Sequence, residues 1–140
     1  MPEKMVPVFA NRAPWNDLVL DGKRHVKTLS FNWKHRGPIL LYTSSNRVDW
    51  WGFDQYDMTK QDIPKGVIVG SAMVVDVVPT DTLPQIFYDK DPNLEGTMGQ
   101  AFVVIVENPR RFKRPIPFKP PQGTVRISSA PARYLRRAVL

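Results

Sequence analysis

The sequence predicts an α+β fold, a small β-barrel flanked by short helices. Fourteen prolines stand against eight glycines, which suits short strands joined by fixed turns and disfavours a helical bundle. Short apolar, β-branched runs recur at residues 39–42, 67–78 and 101–106, the pattern of buried strands. Helical signals are confined to a few brief stretches between them.

Taken in order, Pro14-Trp15 opens a short helix, with Pro14 in the first turn and Asp17 near the positive end of the dipole, and Asp21-Gly22 stops it. Residues 23–32 alternate loosely, with Val26, Thr28 and Ser30 on one side, as a strand. Gly37-Pro38 introduces Ile39-Leu40-Leu41-Tyr42, a buried strand. Ser44-Ser45-Asn46 is placed to cap a helix running to Asp57 that carries Trp50, Trp51, Phe53 and Tyr56. After the Pro64-Lys65-Gly66 turn, residues 67–78 form the central strand, with Gly70 marking a bend or bulge. Residues 79–100 read as an acidic surface loop with a helical turn near Leu83 to Tyr88. Residues 101–106 form a further strand ended by Asn108-Pro109. Residues 115–118 run extended, and Gln122-Gly123 turns into a strand at residues 124–127. One domain over residues 1–127, followed by a basic tail at 128–140 in which residues 131–140 suit an amphipathic helix or a frayed end, is the expected organisation.

Composition excludes several functions. With no cysteine among 140 residues, zinc-finger, iron–sulfur, thiol-nucleophile and disulfide chemistry all fall away. His25 and His35 alone do not make a metal site, so neither metal nor other cofactor is expected. No run approaches the roughly twenty apolar residues of a membrane span, and the first residues lack a signal-peptide pattern; a cytoplasmic protein without a membrane partner is expected. Charge is distributed unevenly. The formal net charge is +7, and residues 101–140 carry nine Lys or Arg against one acid, Glu107. Residues 12–47 are also basic, whereas 48–100 are acidic. A positive surface built from both ends points to a polyanionic partner, RNA or another nucleic acid, through counterion release.

Four blocks, in order over residues 13–127, resemble the ASCH family (activating signal cointegrator homology) of the PUA-like superfamily. They are Pro14-Trp15 with Leu18 and Gly22; His35-Arg36-Gly37-Pro38-Ile39-Leu40; Pro64-Lys65-Gly66 through Gly70 to Asp76; and Glu107-Asn108-Pro109 with Pro115-Ile116-Pro117 and Gln122-Gly123. The resemblance implies a small barrel with a cleft toward flanking helices. The superfamily uses that cleft to bind RNA or modified nucleobases, and some members act as ribonucleases or acetylcytidine amidohydrolases.

One family feature is missing. Where the family carries Lys-x-x-Glu-x-Arg, an ungapped match from Gly22 to Arg36-Gly37 places Arg24, Lys27 and Leu29. Shifting by one pairs Lys23 with the family Lys but puts Val26 at the Glu position, which restores nothing. A solvated lysine at 27 does not accept a proton at neutral pH as a carboxylate would, so no catalytic residue is assigned.

The leading expectation is a non-catalytic RNA-binding module, working alone or inside a larger ribonucleoprotein. Its contacts would come from Lys23, Arg24, Lys27, Lys34, His35 and Arg36 in the cleft, with Trp33 either stacking on a base or closing one end of the barrel. Arg110, Arg111, Lys113 and Arg114 would add a second contact from a stiff, Pro-bounded loop. Two alternatives stay open: a hydrolase acting on RNA or a modified nucleoside through His25 or His35, and a protein-interaction adaptor using the acidic middle or the Trp-rich helix.

Overall fold

The computed structural model describes residues 3–45, 48–58, 63–124 and 126–140. Six strands and three short helices follow the order β1 Met5–Asn11, α1 Trp15–Leu20, β2 Val26–Leu29, β3 Gly37–Thr43, α2 Trp50–Gln55, β4 Val67–Pro79, α3 Gln85–Lys90, β5 Phe102–Pro117 and β6 Ile127–Pro131. The strands make one mixed sheet in the order β2-β5-β4-β3-β1-β6. Only β1 and β3 run parallel, with α1 and β2 lying between them in sequence. The expected barrel is met as an α+β sheet whose end strands, β2 and β6, do not pair with each other among the described residues.

The sheet is apolar on both faces, which explains why its strands read as unbroken apolar runs. In β3, Ile39 and Leu41 point into one core with Phe9, Val69 and Val104. Leu40 and Tyr42 point into the other with Val8, Ile68, Phe112 and Ile116. On β5 the same alternation sends Val104 and Val106 to the first core. Val103 and Ile105 go to a third cluster with Val26, Leu83 and Leu94. The acidic 79–100 segment thus lays Leu83 and Leu94 over the outer face of β2 and β5 rather than forming only a solvated loop.

Several boundaries differ from the sequence reading. β1 is an unanticipated strand, because Pro7 interrupts its pattern and its apolar residues serve two different cores. Helix α2 is shorter than expected: Asp49, not Ser44 or Ser45, caps it by accepting from the Gly52 N–H at 3.4 Å, and Asn46 lies outside the described residues. β5 does not stop at Asn108-Pro109. Asn108 takes a positive φ of 52° and the strand continues to Pro117, so the four bases at 110–114 sit on a strand rather than a loop. Residues 127–131 pair with β1, and the remainder forms a short 3-10 turn, Ala132–Arg136. Tyr134, Leu135 and Val139 then pack on the second core.

The bulge anticipated at Gly70 is present, since the β4–β5 register shifts between Ile68 and Gly70. A Cβ at this position would lie 2.3 Å from the Arg110 carbonyl oxygen and 2.8 Å from Leu20. Only a hydrogen side chain at Gly70 lets the β5 backbone and Leu20 of α1 come so near β4. Gly70→Ala is expected to cost about 1–3 kcal/mol in urea unfolding. Gly99→Ala, whose Cβ would meet nothing within 4 Å, should change stability by less than about 0.5 kcal/mol.

Candidate nucleic-acid interface

A cavity of about 780 Å³ opens where β1, α1 and β2 meet α2, the 95–100 segment and the chain on either side of Gln122-Gly123. Its shape follows from local packing. Gly52 lets α2 seat against Trp15, where a Cβ would come within 2.9 Å of the indole. The Trp15 Nε1–H donates to Asp49 at 2.9 Å, and Trp51 projects at the rim, 46% exposed.

Lys27 enters this cavity from the sheet. On β2 it shares a face with Leu29, so its stem lies in the main core and its ammonium sits 4.8 Å from the centre of the Phe9 ring. The side chain is only 3% exposed. Its Nζ donates to Asn11 Oδ1 and Asn16 Oδ1, each at 2.5 Å. Asn16 is oriented unambiguously, because its amide nitrogen donates to the Tyr42 carbonyl at 2.8 Å and leaves its oxygen for the lysine. No carboxylate bonds Lys27 among the described residues. Burial first, then the charges of Arg24 and Arg126, hold its pKa well below the usual lysine value. The expectation of a solvated lysine at this position is therefore overturned: alternation on a strand buried on both faces drew it inward.

Arg24 forms part of the wall. Its guanidinium lies over Trp15, 4.7 Å from the ring centre, and donates to the Val26 carbonyl, the Tyr56 hydroxyl and Thr97 Oγ1. Burial pushes the Tyr56 hydroxyl up to about 12, so it stays protonated and donates to Asp91 at 2.6 Å. The nearest carboxylate in this network is thus one hydroxyl removed from Arg24.

The other anticipated contact residues lie elsewhere. Trp33 packs edge-to-face on Phe9 at 6.0 Å and beside His35 at 5.0 Å, closing one end of the core rather than facing the cavity. The His35 Nε2 lies 3.0 Å from the Pro38 carbonyl. Arg36 reaches the Trp33 and His35 carbonyls and pairs with Asp76. Lys23 and Lys34 are exposed, His25 is half-buried, and none of these residues lines the cavity. Arg111 is committed to the fold: it bridges Asp17 and Asp21 of α1 and the turn after it, each at 2.9 Å. Arg110, Lys113 and Arg114 are exposed.

Sequence reasoning missed the rest of the cavity. Besides Arg24 and Lys27, its cations are Arg12, Lys119 and Arg126, set against two acids, Asp49 and Glu95. Arg126 is held beside β1 by the Ala10 N–H bonding its carbonyl at 2.8 Å. Burial and then the charge of Arg12 lower its pKa. Nothing in the linear sequence marked these three, because each stands just beyond a strand end, Arg12 after β1, Lys119 after β5 and Arg126 before β6, and the sheet brings those ends to one cavity.

No protein-family model and no curated protein matches the chain. Among solved structures it is similar to a crystal structure of ASCH from Zymomonas mobilis, with a TM-score of 0.57 and 14% identity over 93% of this chain and 90% of that one. Two point-mutant structures of the Zymomonas protein give TM-scores of 0.58 and 0.57, each at 13% identity, covering 97% and 93% of this chain and 95% and 93% of theirs. The chain has the ASCH fold. The four sequence blocks therefore pointed to the correct architecture despite the altered motif. No helix among the described residues is long and apolar enough to cross a membrane.

Two outcomes follow for this ASCH-fold chain. The folded-state pKa of Lys27 lies below the ordinary 10.5, so the unfolded chain holds that proton more tightly. Lys27 therefore weakens the fold at low pH, and the penalty is relieved as pH rises from the folded value toward 10.5. Urea titrations from about pH 6 to about pH 10 should show the native chain gaining stability relative to Lys27→Met; a constant gap between the two would count against this. Arg111→Ala should cost about 2–3 kcal/mol. It would strand Asp17, whose second oxygen has no partner among the described residues, although partial solvation of Arg111 reduces the loss.

Proposed function

We propose that this protein binds single-stranded RNA without cleaving it, taking one nucleotide into the cavity. The observation that carries this reading is the charge of the lining: five cations against two acids, with no carboxylate bonding Lys27 or Arg24 among the described residues. Trp15 and Trp51 offer aromatic surface for a base, and about 780 Å³ is within the usual range for a small-ligand site.

The C-terminal half of β5 offers a path for the neighbouring backbone. β4 pairing stops at Arg111 and resumes at Ile116. Between them Phe112 bridges to Val139, and the Lys113 N–H donates to the Ala138 carbonyl at 2.8 Å. This brings Lys113-Arg114 alongside Arg136-Arg137, an exposed cationic cluster assembled from two distant segments. An RNA strand spanning cavity and cluster would meet phosphate-binding groups at both ends. Whether a larger ribonucleoprotein supplies that strand belongs to the same reading.

The position of Lys27 favours a second reading, hydrolysis of RNA or an acetylated nucleoside. A buried amine whose pKa is lowered gives up its proton at a lower pH than a solvated lysine does. His25 and His35 have no such support, because neither lines the cavity.

Filter binding of an unstructured RNA across a salt series separates these readings. With about four phosphates neutralised, affinity should fall about 50-fold between about 50 and 200 mM salt. Lys113→Ala with Arg114→Ala should make the slope shallower. An affinity indifferent to salt would defeat the binding proposal. RNA shortening, or deacetylation of acetylcytidine, that disappears in Lys27→Met would establish the hydrolase instead.

A further inference from the structure

We propose that Arg12, Lys27 and Arg126 together form a phosphate subsite in the cavity wall, and that this subsite takes the anionic group of the bound nucleotide. The inference rests on the nucleic-acid reading above and specifies which part of the ligand meets which wall.

Three observations support it. First, the cations come from three elements that the sheet forces together. Arg12 follows β1, Lys27 lies on β2, and Arg126 precedes β6, with its carbonyl bonded to Ala10 two residues before Arg12. Second, none of the three pairs with a carboxylate among the described residues, while Asn11 and Asn16 fix the lysine through neutral oxygens. Third, the cations disturb one another: Arg12 acts on Arg126, and Arg24 and Arg126 act on Lys27. A cluster of like charges lining a cavity, without a paired carboxylate among the described residues, is complementary to an anion supplied from outside. The acids of the lining are placed for other work, since Asp49 is bonded to Trp15 and the Gly52 N–H, and Glu95 is an exposed residue of the Glu95–Thr97 turn.

Anion binding in this subsite carries a proton with it. Among the described residues, the charges acting on the Lys27 amine are those of Arg24 and Arg126, with Arg12, Tyr42, Asp49, Glu95 and Lys119 elsewhere on the lining. Empty, the cluster disfavours a proton on Lys27. A bound anion reverses the local field and favours that proton, so association across the pH range in which the empty site loses it should be accompanied by net proton uptake.

Calorimetry on the full chain tests both parts, using a dinucleoside monophosphate, because its phosphodiester has no group titrating near neutrality. The free nucleosides and inorganic phosphate are the comparison ligands. The dinucleotide should bind at least about ten-fold more tightly than the nucleosides. Arg126→Ala and Arg12→Ala should each weaken it about ten-fold, while Lys90→Ala, outside the cavity, should not. Runs in two buffers of different ionisation enthalpy should reveal proton uptake that disappears in Lys27→Met.

Equal affinity for nucleosides and dinucleotide, or unchanged affinity in Arg126→Ala, would overturn the subsite even if long RNA still binds, placing that RNA on the β5 cluster. Proton uptake persisting in Lys27→Met would overturn the role given to the lysine. Should that variant fail to fold, the same test reads from Arg126→Ala, in which proton uptake should shrink. Inorganic phosphate binding as tightly as the dinucleotide, with no binding of RNA, would uphold the subsite and refute the RNA reading.

Discussion

The buried amine of Lys27, held between two asparagine oxygens and an aromatic face, is the contact on which the rest of the cavity depends. It ties β2 to β1 through Asn11 and to α1 through Asn16, and Asn16 in turn grips β3 at the Tyr42 carbonyl. Three elements thus meet at one nitrogen, and Asn16 joins them to a fourth. An ammonium taken out of water without a counter-ion is costly, and hydrogen bonds to neutral amides offset that cost only in part. The fold tolerates the arrangement because the surrounding apolar cores are extensive. Local frustration of this kind is typical of places where a ligand, rather than the protein, completes the electrostatics.

The two arginines recognised early in the chain's chemistry have opposite fates. Arg24 keeps a position at the cavity, but much of its hydrogen bonding supports the wall, linking β2 to Tyr56 and Thr97. Arg111, in the densest basic stretch, is neutralised by Asp17 and Asp21 and secures β5 against α1. A cation's value for binding an external polyanion is set by what already satisfies it. Arg110, Lys113 and Arg114, exposed on the same strand, retain that capacity, and docking of the C-terminal residues onto β5 concentrates it.

Much of the fold was legible in the sequence. The apolar runs of β3, β4 and the first half of β5 announced strands, because a sheet buried on both faces requires unbroken hydrophobicity there. Gly70 announced its bulge. β1 was illegible because Pro7 and the division of its residues between two cores erased the alternation. The continuation of β5 through Asn108-Pro109 was hidden because a positive φ at Asn108 permits what a Pro-containing turn normally forbids. Of the anticipated cleft residues, Arg24 and Lys27 line the cavity and the others do not.

By itself the sequence determined the class of fold, the lack of any cysteine thiol, and a charge excess suited to a polyanion, since each follows from composition or from patterns a few residues long. Tertiary structure decided which charges face the cavity and which are spent inside the fold. Arg12, Lys27, Lys119 and Arg126 are separated by up to 114 residues in the chain and converge only through strand pairing. Burial and counter-ion contacts depend on that convergence, so no local pattern could have told a structural cation from one left open to a ligand.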